Sequence, residues 1–384
     1  MSGARGDLLR RSRARQARVE RVRARMETLG IDALLLSHGA DLPWLTGYRA
    51  MPLERLTLLV LSRADEAVLL VPALEAPRVA RDDEIFAVRA WTETEDPLEL
   101  ASGHLGRWPQ GTFAISDRAW ATTLIDLQAR MSGARFVAAS TVTAPLRAVK
   151  DDDEIRTLRA AGAAADRVAA ALQRGDIPLV GRTERQVSDE IAARLLAEGH
   201  HRVNFAIVAS GPNAASPHHD AGARVIGPNE VVVCDFGGEL ALAEDEVGYC
   251  SDITRTVATG DPGAEVRECY DVLRQAQEQG VLAARAGVPA EDVDSAARTV
   301  IAAAGYGDRF IHRTGHGIGI DEHEDPYLVS GNRTELLRGH AFSVEPGIYL
   351  QGRFGMRLED IVVVGESGPE PLNAVDHSLV LVEA

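Results

Sequence analysis

The chain has 384 residues, 45% of them hydrophobic, and a formal charge of −16, which gives room for two domains and a large core. That charge argues against a nucleic-acid or anionic-membrane partner, because neutralising a phosphate backbone needs a basic surface. No run of about 18 apolar residues occurs, so no segment is expected to span a bilayer, and the three cysteines, Cys234, Cys250 and Cys269, lack CxxC or zinc-finger spacing and read as free thiols of a reducing compartment.

In chain order, residues 1–25 are rich in arginine, with Asp7 and Glu20 as their only acids. A transit peptide or a nucleic-acid arm has that composition. Val19, Val22, Met26 and Leu29 nevertheless recur at helical spacing, and the simpler reading is a solvated amphipathic helix leading into the first strand. Residues 31–37, 57–61, 67–71 and 112–115 are predicted strands and 120–131 a helix. The stretch 144–150 then leads to Asp151-Asp152-Asp153-Glu154, acids suited to the positive end of a helix over 155–172, and a domain boundary is expected near residue 148. Beyond it come a helix over 183–198 capped by Thr183, strands over 204–209, 231–236 and 251–258, helices over 266–284 and 290–304, a Gly-rich loop and a closing pair of strands. Hairpins and helices in separate runs predict an α+β catalytic domain over 149–384, preceded by a smaller α/β domain over 1–148.

Four carboxylates in the second part sit against apolar, β-prone runs. Asp235 ends Val231-Val232-Val233-Cys234, Asp252 precedes Ile253-Thr254-Arg255-Thr256-Val257, Glu345 follows Ala341-Phe342-Ser343-Val344, and Glu359 precedes Asp360-Ile361-Val362-Val363-Val364. Anions in strands that otherwise want burial must be neutralised or coordinated. Two divalent cations would cancel four such charges, and His316, between Gly315 and Gly317, adds a neutral imidazole where the backbone can come close. Glycines between Asp235 and Asp252, and again between Glu345 and Glu359, let each pair stand on one hairpin. An oxygen-rich set with one imidazole suits Mn²⁺, Co²⁺, Fe²⁺ or Zn²⁺. A water shared by two such ions would supply hydroxide near neutral pH while they polarise a carbonyl. Any one of these acids alone reads more simply as a surface hairpin residue or a helix cap.

The strings Asp235-Phe236-Gly237-Gly238, Ser251-Asp252-Ile253-Thr254-Arg255-Thr256, Gly315-His316-Gly317-Ile318-Gly319, His323-Glu324, Glu345-Pro346-Gly347-Ile348-Tyr349 and Arg357-Leu358-Glu359-Asp360 closely resemble the dinuclear "pita-bread" metallopeptidases, the superfamily of prolidase, aminopeptidase P, methionine aminopeptidase and creatinase. The resemblance covers the whole second part, and more loosely the first, which is similar to a creatinase-like N-terminal domain. It implies that Asp235 chelates one metal, that Asp252 and Glu359 bridge both, and that His316 and Glu345 complete the second, with Mn²⁺ the expected ion. It further implies that His218 and His323 hydrogen-bond to the substrate and its tetrahedral intermediate, and that Glu345 moves a proton from water to the departing amine. Arg357 and Tyr349 would support the site from its edge, Arg357 as either counter-ion or substrate contact, and His312 would wall the proline ring. His219 reads as space-filling or solvent-facing.

Two departures stand out. The interval from Asp235 to Asp252 is longer than the family's short hairpin, and its extra residues, 239–246, read as an acidic loop that either gates entry or, more simply, is solvated. Many prolidases place an arginine four residues after the histidine of their His-Glu motif, to pair with a dipeptide's carboxylate, and here that position is Tyr327. Arg49, in the loop Gly47-Tyr48-Arg49-Ala50-Met51-Pro52, is the expected substitute. The expectation is therefore a cytoplasmic, homodimeric Xaa-Pro dipeptidase acting on small peptides with proline second. The alternatives are an Xaa-Pro aminopeptidase on longer peptides, a non-peptidase hydrolase or lyase, and a non-catalytic binder on the same fold.

Overall fold

The computed structural model describes residues 2–244 and 246–382, and the backbone alone for residues 2–9; Asp245, part of the expected acidic loop, and Met1, part of the arginine-rich start, lie outside the described residues. The chain divides into two compact units, Met1–Arg147 and Ala148–Ala384. The first opens with helix α1 (Ser2–Leu29), on which Val22 and Met26 are buried, as their spacing demands. There follow β1 (Ala33–Leu36), α2 (Asp41–Thr46), β2 (Leu58–Ser62), β3 (Ala67–Pro72), β4 (Phe86–Trp91), α3 (Pro97–Leu105), β5 (Thr112–Ile115), α4 (Ala121–Arg130), β6 (Arg135–Ala138) and α5 (Ser140–Ala148). The six strands form one mixed sheet in the order β4-β3-β2-β1-β5-β6. Its core joins Leu35, Leu58, Leu70 and Phe113 to Leu105 and Leu127 from α3 and α4. α5 is helical through Pro145, where the sequence reading expected a connecting stretch.

In the second unit, α6 (Asp152–Gln173) starts at a capping box in which Asp151 accepts from the Glu154 backbone and Glu154 reaches back, so the acid run caps the helix as expected. α7 (Glu184–Ala197) begins in the same way at Thr183, with Gln186 as its partner. Next come β7 (Arg202–Ser210), β8 (Val231–Leu240), β9 (Tyr249–Cys250) and β10 (Ile253–Ala258), then helices α8 (Ala264–Ala283) and α9 (Ala290–Ala303). The chain closes with β11 (Gly315–Gly317), β12 (Glu324–Leu328), β13 (Ala341–Val344), β14 (Gly347–Leu350), β15 (Phe354–Arg357), β16 (Asp360–Val364), β17 (Pro369–Pro371) and β18 (Val380–Leu381). These form a sheet β18-β10-β8-β7 with β9 on β8, a second sheet β12-β11-β13-β16-β17, and the ribbon β14-β15.

Strand alternation positions the site. On β8 and β10, Val232, Cys234, Phe236, Ile253 and Val257 pack into the core that Val168, Leu172, Ile191 and Leu195 of α6 and α7 contribute to, so Asp235, Asp252 and Thr254 face the other way. On β13 and β16, Phe342, Val344, Val362 and Val364 pack with Val293 of α9, which leaves Glu345 and Glu359 on the opposite face. The register then aligns each pair: Asp235 stands opposite Thr254, and Val344 opposite Asp360, which brings the next residues, Glu345 and Glu359, together. The two sheets are tied by buried Arg255, which donates to Asp360 Oδ1 (2.8 Å) and to the Glu359 carbonyl (2.6 Å), while the Glu359 amide donates to the Thr254 carbonyl (3.2 Å).

The interval from Asp235 to Asp252 differs from its expectation. β8 runs on to Leu240 and pairs with β9, Glu239 opposite Cys250, so Glu239 belongs to a strand and not to a solvated loop. It is buried and paired with Arg202 (2.9 Å).

Candidate metal centre

A cavity of about 500 Å³ in the second unit gathers Asp235, Asp252, His316, Glu345 and Glu359 in its wall, with His218, His312, Arg313, Glu322, His323 and Arg357 around them. Asp252, His316 and Glu359 each offer a ligand atom, and these three atoms all lie within 4.8 Å of one another. His316 Nε2 is 3.3 Å from Glu345 Oε1 and 3.7 Å from Asp252 Oδ2. These contacts are not ordinary ion pairs. Burial, followed by the neighbouring His323, pushes the His316 imidazole down to about 3, so it is neutral. Its Nδ1 lies 3.1 Å from the Gly317 carbonyl and must be the protonated nitrogen. The Nε2 lone pair therefore faces carboxylate oxygens, an arrangement that a cation between them relieves.

The carboxylates tell the same story. Asp235 Oδ1, Asp252 Oδ1 and Glu359 Oε1 are buried with no hydrogen-bond partner among the described residues, although buried acceptors are almost always satisfied. Burial foremost, and then the crowding of like charges, holds Asp252 and Glu359 well above the ordinary carboxylate range; burial and the Asp235 charge raise Glu345 to about 7. A site that destabilises its own anions, orphans three of their oxygens and aims the free lone pair of a neutral imidazole among them fits divalent cations by its donor chemistry.

Arg357, 2% exposed, is held at every nitrogen. Its Nη2 donates to Asp235 Oδ2 (2.5 Å), its Nε to Thr254 Oγ1 (3.1 Å), and its Nη1 to the Tyr349 hydroxyl (2.9 Å) and the Pro217 carbonyl (3.2 Å). Thr254 passes the connection on, donating to Glu359 Oε2 (2.7 Å). Tyr349 donates in turn to His312 Nε2 (2.9 Å), because His312 Nδ1 is 2.7 Å from the Arg313 carbonyl and must carry the proton. Burial, then the Arg357 charge, takes the His312 imidazole down to about 3. Arg357 is thus placed as a counter-ion and anchor, with Tyr349 buried behind the wall and His312 lining the cavity.

His323 stacks edge-on against His316 with ring centroids 4.0 Å apart, and both His323 and His218 are exposed within the cavity. His219 faces away and lies 2.8 Å from Glu184 Oε2. The fully buried Glu184 also accepts from the Ser210 amide and hydroxyl (both 2.8 Å) and from Asn213 (3.1 Å); although burial pushes its carboxyl upward, these bonds outweigh that and hold it below the usual range. Glu184 thereby pins the loop that presents His218. Arg49 is an exposed side chain of the first unit, in the loop after α2, and the cavity is lined by second-unit residues.

Sequence reasoning missed Thr254, Glu184 and Arg313. Thr254 lay inside a quoted motif, and its position two residues from Asp252 on the same strand face was a usable signal. Glu184, in the first turn of α7, carried none.

Residues 156–366 match the model of metallopeptidase family M24, and residues 18–149 match that of the creatinase/prolidase N-terminal domain. A probable dipeptidase PepE from Mycobacterium tuberculosis is 43% identical over 92% of both chains. A Xaa-Pro dipeptidase from Lactobacillus helveticus is 35% identical, covering 91% of this chain and 95% of its own. Among solved structures, dipeptidase PepE from Mycobacterium ulcerans superposes with a TM-score of 0.90 at 41% identity, covering 97% of this chain and 99% of that one.

Proposed function

The chain belongs to metallopeptidase family M24, and on that premise we propose that it hydrolyses the peptide bond between an N-terminal residue and proline, with dipeptides as its substrates. The observation that carries the reading is the convergence, in one cavity, of four carboxylates with three orphaned oxygens, a neutral His316 and the exposed rings of His218 and His323. Relatives at 43% and 35% identity are described as dipeptidases. Asp235, Asp252, His316, Glu345 and Glu359 would hold two divalent cations, with Mn²⁺ proposed because the donor set is mainly oxygen. Two such ions, when bound, acidify a water and polarise the scissile carbonyl.

The chain's own groups do the rest. Glu345 takes the proton of the attacking water and delivers it to the proline nitrogen as the C–N bond breaks. His218 and His323 donate hydrogen bonds to the developing oxyanion and the leaving group, each worth roughly 10²- to 10³-fold in rate. His312, oriented by Tyr349, forms the wall for the proline ring, and Arg357 fixes the Asp235 carboxylate. The homodimer and cytoplasmic location implied by the resemblance are part of the same proposal, and sedimentation of the metal-loaded protein tests the first.

One observation favours a second reading. Tyr327 stands where an arginine would anchor a dipeptide's carboxylate, and an Xaa-Pro aminopeptidase acting on longer peptides needs no such anchor. Incubating the Mn²⁺-loaded protein with Xaa-Pro, Xaa-Pro-Yaa and Xaa-Ala-Yaa peptides separates the two. The proposal expects an amino acid to be released fastest from Xaa-Pro, and the release to be abolished by a chelator. Cleavage of Xaa-Pro-Yaa alone supports the aminopeptidase, and equal cleavage of Xaa-Ala-Yaa removes proline specificity altogether.

A further inference from the structure

Arg313 lines the cavity, and its guanidinium carbon sits 4.4 Å from the centroid of the Tyr327 ring. Among the described residues no carboxylate comes within ion-pairing distance of it, in contrast to Arg357, which is engaged at every nitrogen. Stacking on an aromatic face leaves the edge of a guanidinium free, and that edge carries a planar fork of donors matched to a carboxylate. The neighbouring residue, His312, lines the same cavity and is the ring that walls the proposed proline pocket.

The partners of the other arginine point the same way. Arg357 is committed to Asp235, Thr254, Tyr349 and Pro217. Arg313 has no carboxylate partner among the described residues, and its field reaches His316, His323 and Glu345. A guanidinium so placed in a cavity wall is ready to pair with an anion that arrives with the ligand. In an Xaa-Pro dipeptide the anion is the carboxylate on the proline ring.

We propose that Arg313 receives the C-terminal carboxylate of the dipeptide and that Tyr327, standing where an arginine would be expected, is the platform that holds its guanidinium in place. The inference rests on the Xaa-Pro reading above. It makes Arg313 a specificity-determining residue, one that selects for substrates ending at proline.

The test compares an Xaa-Pro dipeptide with its C-terminal amide, which offers the same scissile bond without the carboxylate. In the Mn²⁺-reconstituted enzyme, Arg313→Gln should lower kcat/KM for the dipeptide about 10- to 100-fold, mainly through KM, as expected for losing a charge-assisted hydrogen-bonded pair. The amide, which offers no carboxylate, should lose much less, so that the preference for dipeptide over amide falls about 10- to 100-fold. Arg313→Lys should restore part of the loss, and Tyr327→Ala should cause a smaller selective loss of about 3- to 10-fold; these two carry the test should Arg313→Gln not fold, as judged by metal content and circular dichroism. Equal losses on dipeptide and amide overturn the inference, since they assign Arg313 a merely structural role. No loss on the dipeptide in Arg313→Gln also overturns it, and a dipeptide-selective loss in Arg49→Ala would then assign the carboxylate to Arg49. A wild-type enzyme that cleaves neither compound sinks the Xaa-Pro reading itself, and this inference with it.

Discussion

Replacing Glu345 by glutamine should stabilise the metal-free protein while disabling the metal-loaded one. In the folded chain without metal, burial and the Asp235 charge raise the Glu345 carboxyl to about 7, against 4.5 for an ordinary glutamate. The sign follows from linkage. A group with a raised folded value contributes its full share of stability below about 4.5, where it is protonated in both states, and loses that share as pH rises through 7. At 1.36 kcal/mol per pKa unit, that elevation is worth on the order of 3 kcal/mol. The substituted amide would not titrate, and its oxygen can still accept from Ser343, whose hydroxyl is 3.1 Å from Glu345 Oε1. Urea unfolding of chelator-treated wild type and Glu345→Gln, followed from pH 4.5 to 8, should show two similar stabilities at the acid end and a variant more stable by up to about 3 kcal/mol at pH 8. Adding Mn²⁺ should reverse the order, because the variant has lost a charged ligand. A metal-free wild type as stable as the variant at pH 8 would refute the claim that these anions are held at a cost only cations relieve.

Other perturbations address the supporting structure. Thr254→Val removes the donor to Glu359 and the acceptor for Arg357 Nε, and should weaken metal affinity about 10- to 100-fold in competition with a chelator. Glu184→Gln leaves the cavity wall intact but loosens the loop carrying His218; kcat should fall with metal content unchanged, and stability should drop by about 1–3 kcal/mol in urea unfolding. Gly317→Ala would drive a methyl group into the Asp325 backbone carbonyl, and should cost at least about 4 kcal/mol or abolish soluble expression.

Much of this site can be read in the residues because β-strands alternate. An acid flanked by apolar residues on a two-sided strand must face either the core or a ligand, and Asp235, Asp252, Glu345 and Glu359 all faced away from the helix-packed side. The helices were legible for related local reasons, since Asp151 and Thr183 are caps whose partners lie three residues on. What escaped depends on contacts distant in sequence. Glu239 read as a solvated acid because its strand partner, Cys250, and its counter-ion, Arg202, lie on other strands. His219 is bound by Glu184, 35 residues away. The stack of Arg313 on Tyr327 needs β12 folded back against β11, a pairing that no local pattern announces. Pro145, normally a helix breaker, hid α5.

The central claim is that five side chains exist in this fold to hold two divalent cations. Anomalous diffraction from crystals grown with Mn²⁺ measures that directly. The account predicts two manganese peaks in the cavity, held among Asp235, Asp252, His316, Glu345 and Glu359. A cavity without manganese, its carboxylates protonated and hydrogen-bonded to one another, would contradict it.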